Sequence, residues 1–523
     1  MAKKLVIFLH KWLGVVLALF FLMWFVSGVV LYYVPFPSLT QAERLAAMPP
    51  LALPAGCCLA APEAAQRAGL RAGAGEARLG MLGDVPVWRM QAAAAVGSDG
   101  AALRPRWHTL DARTGALVPP LDDAQAAAVA EAFSGRRATG TERLERDQWT
   151  VPQGLDVHRP LVKVLLDGDD GLELYVSPGA AEVVRDTRRA ERFWNWLGAV
   201  PHWIYPTVLR QFPKAWHQVV VWLSIPGVLL AATGIALGVW QLFLNRRRWI
   251  PYRKFWMRWH HILGLVAAVF TLTWMFSGLM SMNPFGVFTG RAADPQARTQ
   301  WAGEPPRMAR GPAEAVALAA ADGIVPLELD TLRIAGQAWY RVRGLGEGAV
   351  QRLVRADGPE ATVVRAVPDP TVLAALQGLR PGSPPPAIEQ LTQYDGLYYA
   401  RHHDAASTAF NRPLPVWRAH WAGDDVSVYA DPASARIVLR ADATTPWQRV
   451  LYNGLHSLDF APLLARPLLR TALVVGLSLL GIALCITSCV IAWRVFVPAR
   501  RRPVRSTKPR RVVGDSSGGA WTV

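Results

Sequence analysis

Four stretches of the chain are apolar almost throughout: residues 5–34, 217–243, 259–282 and 468–497. At 1.5 Å of rise per residue, about 20 residues cross the hydrocarbon core of a bilayer, so each stretch is long enough to span it. Pro226 falls inside the second and predicts a kink there, which a packed membrane helix tolerates. Asn283-Pro284-Phe285-Gly286 closes the third. The intervening stretches are mixed in polarity and rich in Ala, Gly, Pro and Arg. Within them, residues 85–91, 103–111 and 171–176 alternate as strands do, and 63–70 reads as a short helix. Asp111-Ala112-Arg113-Thr114-Gly115 has turn chemistry, and Gly382-Ser383-Pro384-Pro385-Pro386 that of a loop. The fold class expected is membrane α-helical plus α/β, with two α/β domains outside the membrane.

This pattern divides the chain as follows. Residues 1–34 hold the first helix, and 35–200 the first outer domain. An edge segment and the second helix fill 201–245, then a basic loop fills 246–258. Residues 259–283 form the third helix and 284–455 the second outer domain. An edge segment and the fourth helix occupy 456–497, and a basic tail, expected to be disordered, ends the chain at 498–523.

The two halves echo each other. Adding 250 carries His10 to His260, Trp24 to Trp274, and Ser27-Gly28 to Ser277-Gly278. Adding 254 carries Tyr175 to Tyr429, His202 to His456, Pro213 to Pro467, Ser224 to Ser478, Gly227 to Gly481 and Thr233 to Thr487. The sequence thus reads as helix–domain–helix, twice, by internal duplication. Both copies run in the same direction, so a pseudo-twofold axis along the membrane normal is expected.

Charge fixes the orientation. The chain has 523 residues, 52% of them hydrophobic, and a formal net charge of +17. The basic residues crowd three places. Lys3 and Lys4 precede the first span. Arg246, Arg247, Arg248, Arg253, Lys254 and Arg258 lie between the second and third, and eight Arg and Lys from Arg494 to Arg511 end the fourth. Basic residues at span boundaries mark the cytoplasmic side. Both termini are therefore expected in the cytoplasm of a bacterial inner-membrane protein, with the large domains periplasmic. A signal peptide would have a shorter apolar core and a small-residue cleavage site, so an uncleaved helix is expected. The basic residues do not form the aromatic-laced face of a nucleic-acid binder. Four cysteines do not make a disulfide framework. Cys57 and Cys58 are adjacent, where a mutual disulfide would be strained. Cys485 and Cys489 read as packing residues.

The chemistry lies in the histidines. A parallel pseudo-twofold axis turns equivalent residues towards each other, so His10 should face His260 near the cytoplasmic side, and His202 should face His456 near the periplasmic side. Two imidazoles across a four-helix bundle can ligate a b-type haem. No C-x-x-C-H motif for covalent haem is present. A histidine within the membrane is a functional candidate by default. His261 competes with its neighbour His260, and His217 is an alternate to His202. His158, His402, His403 and His420 lack metal-site spacing and read as local hydrogen-bonding residues. Trp24 and Trp274 read first as packing, and the Ser-Gly pairs as close helix contacts. Trp194, Trp196, Trp203 and Tyr205 read as interface anchors, or as a wall of an acceptor site.

The H-K-W-L-G and M-W-F-V-S-G blocks, their duplicates, and Arg412–Pro415, Asp424-Asp425 and Tyr429–Pro432 together resemble the PepSY-associated transmembrane family. The resemblance implies PepSY-like outer domains and haem b, two in the duplicated arrangement. It also implies the role of an iron-regulated protein or ferric-siderophore reductase that passes electrons outward to a periplasmic ferric chelate and frees Fe(II). No G-x-G-x-x-G follows a strand, so the donor expected is a membrane quinol or a separate reductase. The acceptor is expected in a cleft between the outer domains. Two readings compete. One is a non-redox protein whose outer domains bind peptide or a partner protein. The other is a transporter, which the scarcity of acidic residues in the spans disfavours.

Overall fold

The computed structural model of the chain describes residues 1–70, 77–91, 106–244, 250–289, 295–346, 348–400 and 412–497. The arginines at 246–248, residues 103–105 of an expected strand, His402, His403 and the tail from 498 lie outside the described residues.

Four long helices cover Ala2–Tyr33, Pro213–Leu244, Phe255–Ser281 and Pro467–Phe496. The third begins four residues before the apolar stretch at Trp259, because the aromatic turn Phe255–Arg258 continues it. The second runs through Pro226 as one helix. Only 22–28% of each apolar window is buried inside the molecule. Most of each helix therefore presents apolar surface outward, as a helix in lipid requires. The first helix packs on the second and fourth, and the third packs on the same two, so the first and third are diagonal partners. Leu17, Phe21, Phe25, Leu230 and Cys485 fill the middle, with Phe270, Trp274 and Met275 against them.

The first and third helices lead into the outer stretches, and the second and fourth lead out of them. All sixteen described strands therefore lie at one end of the bundle, the sheet end. Ala2 and Phe496 lie at the other, the open end. In the first half, β1 (Ala77–Leu82), β2 (Val85–Gln91), β3 (Trp107–Asp111) and β4 (Leu117–Val118) form an antiparallel meander. A second meander follows: β5 (Ala138–Leu144), β6 (Leu161–Leu166), β7 (Glu173–Ser177) and β8 (Glu182–Thr187). The second half builds β9 (Val325–Ile334), β10 (Gln337–Gly346), β11 (Gly348–Arg355) and β12 (Val363–Val364). It then adds β13 (Ala387–Leu391), β14 (Val416–Trp421), β15 (Val426–Asp431) and β16 (Arg436–Ala441).

A helix lies against each group of strands. Ala61–Arg67 and Pro312–Ala321 cover the first meander of each half, and Asp123–Ser134 and Asp369–Gln377 the second. The local signals explain Asp123–Ser134. Asp122 caps the Gln125 N–H, the Gln125 side chain accepts the Asp122 N–H, and Gly135 ends the helix at φ 68°. The expected helix at 63–70 is observed at Ala61–Arg67, and the expected strand at 171–176 at Glu173–Ser177.

The two outer stretches are not separated by a cleft along their whole contact. β1 pairs antiparallel with β9, so the first meanders fuse into one eight-stranded sheet, β12-β11-β10-β9-β1-β2-β3-β4. Each meander alone would expose the unpaired backbone of its first strand; the pairing satisfies both edges. Charged side chains are buried on this seam. Glu328 accepts both guanidinium nitrogens of Arg44 at 2.8 Å and pairs with Arg343 at 2.5 Å. Glu182 pairs with Arg78 at 2.6 Å, and Asp330 with Arg341 at 2.6 Å and Arg343 at 2.8 Å.

Cys57 and Cys58 depart from expectation, being joined in a disulfide. Gly56 and Cys58 both take positive φ there, at 72° and 92°. The turn thus doubles back on itself, which an extended dipeptide could not do.

Candidate functional site

His10 lies near the open end of the first helix and His260 at the matching level of the third. Their ring centroids are 6.3 Å apart. His202 ends the short helix Ala199–His202, and His456 lies in Leu455–Ser457, after the π-helical turn Arg449–Gly454. These two rings approach to 6.1 Å at the sheet end. All four sequence-predicted residues are thus drawn into two facing pairs.

Each ring is held through Nδ1. In the first half, His10 Nδ1 lies 3.3 Å from the Leu230 carbonyl, and His202 Nδ1 lies 3.2 Å from the Trp24 carbonyl and 3.2 Å from Ser27 Oγ. In the second half, His260 Nδ1 lies 3.2 Å from Thr487 Oγ1, and His456 Nδ1 lies 3.0 Å from Ser277 Oγ. A carbonyl only accepts, so Nδ1 of His10 and His202 carries the proton. The hydroxyls impose the same choice. Thr487 donates its hydrogen to the Leu484 carbonyl, and Ser277 donates to that of Trp274. Each hydroxyl is left to accept from the imidazole. The four rings are therefore Nδ1–H tautomers with the lone pair on Nε2, the form in which histidine binds a metal.

Close approach is built into the neighbouring helices. A Cβ at Gly234 would come within 2.9 Å of His10 Cε1, and one at Gly28 within 3.1 Å of His202 Cε1. Glycine is what admits the rings.

This donor set fits a bis-histidine haem. Neutral imidazoles are the donors a haem iron takes, and His10 with His260, and His202 with His456, are the pairs that would hold one. Among the described residues, no group of three or more His, Cys, Asp or Glu side chains could hold a metal ion.

The alternates stand elsewhere. His261 is buried and packs edge-on against Tyr252, with centroids 5.4 Å apart. His217 Nε2 lies 2.8 Å from the Met282 carbonyl and ties the second helix to the end of the third. In the outer sheets, His158 stacks on Trp107 at 5.7 Å, and His420 Nδ1 meets Ser427 Oγ at 3.1 Å. Trp203 and Tyr205 join Phe36 and Trp149 in an aromatic cluster at the sheet end; Trp196 reaches it edge-on, and Trp194 is exposed.

The Ser and Thr tethers carry roles that the sequence reading had not given them. Ser27 and Ser277 read there as helix contacts, and Thr233 and Thr487 only as matched positions. The available signal was that they recur between the halves as the histidines do, Ser27 and Ser277 at the offset of 250 and Thr233, 3.5 Å from His10 Nδ1, and Thr487 at that of 254.

Four apolar spans, with α/β sheets gathered at one end of their bundle, define a multi-pass membrane protein. Within that class the chain belongs to the PepSY-associated TM region family, whose model matches residues 7–367. The match takes in His10, His202 and His260. No curated protein matches the chain significantly.

Proposed function

We propose that the protein is a b-haem electron carrier of the bacterial inner membrane, passing electrons to a periplasmic ferric siderophore or related chelate. The observation that supports this reading most is the presence of two facing imidazole pairs, each ring with its lone pair on Nε2. His10 with His260, and His202 with His456, would hold one haem b each. Bound haem would supply reversible one-electron chemistry.

The rest falls to the chain. Leu230, Trp24, Thr487 and Ser277 fix the tautomer and the plane of each ring, which sets ligand basicity. Ser27, which holds His202 of the other pair, is 17 residues on from His10, about 25 Å along the helix. Phe25, Phe270 and Trp274 fill that interval with centroids 5.5–6.4 Å apart. They exclude water and keep the dielectric low between the pairs. A duplication would account for the matched halves, and basic span boundaries support cytoplasmic termini. The donor would be a quinol or a separate reductase.

The test is Fe(II) release. Protein reduced with dithionite, freed of excess reductant, is mixed with a ferric hydroxamate chelate and a chromogenic Fe(II) trap. Stoichiometric Fe(II) from wild type, lost in His202→Ala, is the expected result. No Fe(II) from fully reduced wild type overturns the reductase assignment.

A further inference from the structure

Where the second and fourth long helices begin, the two halves treat a buried cation differently. In the second half, Arg470 is buried and pairs with Asp459 at 2.7 Å. Subtracting 254 carries these positions to Trp216 and Tyr205. The first half therefore has two aromatic rings where the second has an ion pair. Between those rings it buries a different arginine. Arg210 is 7% exposed, with its guanidinium carbon 5.0 Å from the Tyr205 ring centre and 4.7 Å from that of Trp216. The rings satisfy the faces of the guanidinium, not its edge. Among the described residues, Nε and Nη1 of Arg210 have no hydrogen-bond partner.

Arg210 lines a cavity of about 60 Å³ with Arg146, Gln153, Asp156, Gln211 and Pro213. At a minimum of 10–15 Å³ per water, this is room for the head of a phosphate or carboxylate. The one acid in the wall is already neutralised: Asp156 pairs with Arg159 at 2.7 Å and Arg146 at 3.1 Å. Two arginines, Arg146 and Arg210, line the cavity against that one carboxylate, which Arg159 also holds from behind, so the wall is electropositive. Pro213 opens a 32-residue helix, whose first turn adds backbone N–H groups and the positive end of its dipole.

We propose that this cavity binds an oxyanion, a phosphate or carboxylate group, through Arg210 and Arg146. The ligand supplies the countercharge that Asp459 supplies in the other half. The cavity sits where a membrane span begins, so the group comes either from an anionic lipid headgroup or from a soluble anion. The inference does not depend on haem.

The test uses the delipidated full-length protein in detergent, with thermal unfolding followed against phosphatidylglycerol, inorganic phosphate and citrate in turn. A saturable rise in Tm with at least one of them, lost in Arg210→Gln and reduced in Arg146→Gln, is expected. A rise with phosphatidylglycerol alone assigns the site to lipid; a rise with phosphate or citrate assigns it to a soluble anion. A wild-type Tm unmoved by all three overturns the proposal, as does an equal rise in Arg210→Gln. The wild-type titrations decide the matter even where a variant fails to fold.

Discussion

Leu79 of β1 stands directly opposite Leu329 of β9 in the seam of the eight-stranded sheet. Their offset of 250 positions is the one that separates His10 from His260. An antiparallel pair of matched residues is what a twofold relation puts on its axis. The histidine pairs, which face each other across the bundle, obey the same relation.

Glu328 is the keystone of that seam. Its side chain is 1% exposed. Burial opposes its ionisation, but Arg343 and Arg44 more than offset this and hold its carboxyl well below the usual range. Glu328→Gln would leave those guanidinium groups buried without their countercharge, at a cost of about 3–5 kcal/mol. Arg113→Ala removes an exposed partner of Asp111 and should leave stability nearly unchanged, because water screens that pair. Denaturant unfolding followed by tryptophan fluorescence compares the two; equal losses would contradict the account.

His158 gives the outer region an acid limit. Burial, together with Arg78 and Arg159, pushes its imidazole down to about 4. Between there and the ordinary value near 6.5, the unfolded chain takes up a proton that the folded one refuses. Stability should therefore be complete above pH 6.5 and fall through the window from 6.5 to 4, by up to roughly 3 kcal/mol. In His158→Gln that slope should flatten. A wild-type pH profile that the substitution leaves unchanged would show that another group is responsible.

Removing the tethers should loosen the ligands without deleting them. Ser27→Ala and Ser277→Ala leave His202 and His456 in place but strip a hydroxyl from each Nδ1. Loss of such a supporting partner lowers metal affinity about 10–100-fold. Haem transfer to excess apomyoglobin should accelerate accordingly in both variants, and transfer at the wild-type rate would remove these serines from the account.

Adjacent histidines should separate cleanly. His260→Ala is expected to lose one haem, whereas His261→Ala, whose ring turns to Tyr252, should keep the wild-type content. Pyridine haemochrome quantitation of both proteins checks this, and the opposite pattern would exchange the two residues' roles.

The spans and the histidines were legible in the sequence because both leave one-dimensional traces: long apolar runs, and residues recurring at fixed offsets. Strand β2 was legible for a related reason, since Val85–Gln91 is a short run rich in apolar residues, though Pro86 to Met90 are all buried and do not alternate between faces. The β1–β9 seam was not. Arg78 on β1 and Glu328 on β9 look like surface residues until strands some 250 positions apart are paired, and only their mutual neutralisation makes burial tolerable. The choice between His260 and His261 was equally hidden, because adjacent helical residues differ by about 100° in direction and only the packing of Thr487 and Tyr252 decides which ring faces His10. The disulfide was missed through a local rule. Adjacency argued against pairing Cys57 with Cys58, while the positive φ at Cys58 that accompanies it is uncommon outside glycine.

The central claim is that two histidine pairs each hold a haem. Its most direct test is the haem content per chain of wild type, His10→Ala and His202→Ala, purified from haem-replete cells, with reduced-minus-oxidised spectra. Two six-coordinate b-type haems in wild type and one in each variant are predicted. A colourless wild-type protein, or variants that keep the full haem content, would contradict the account.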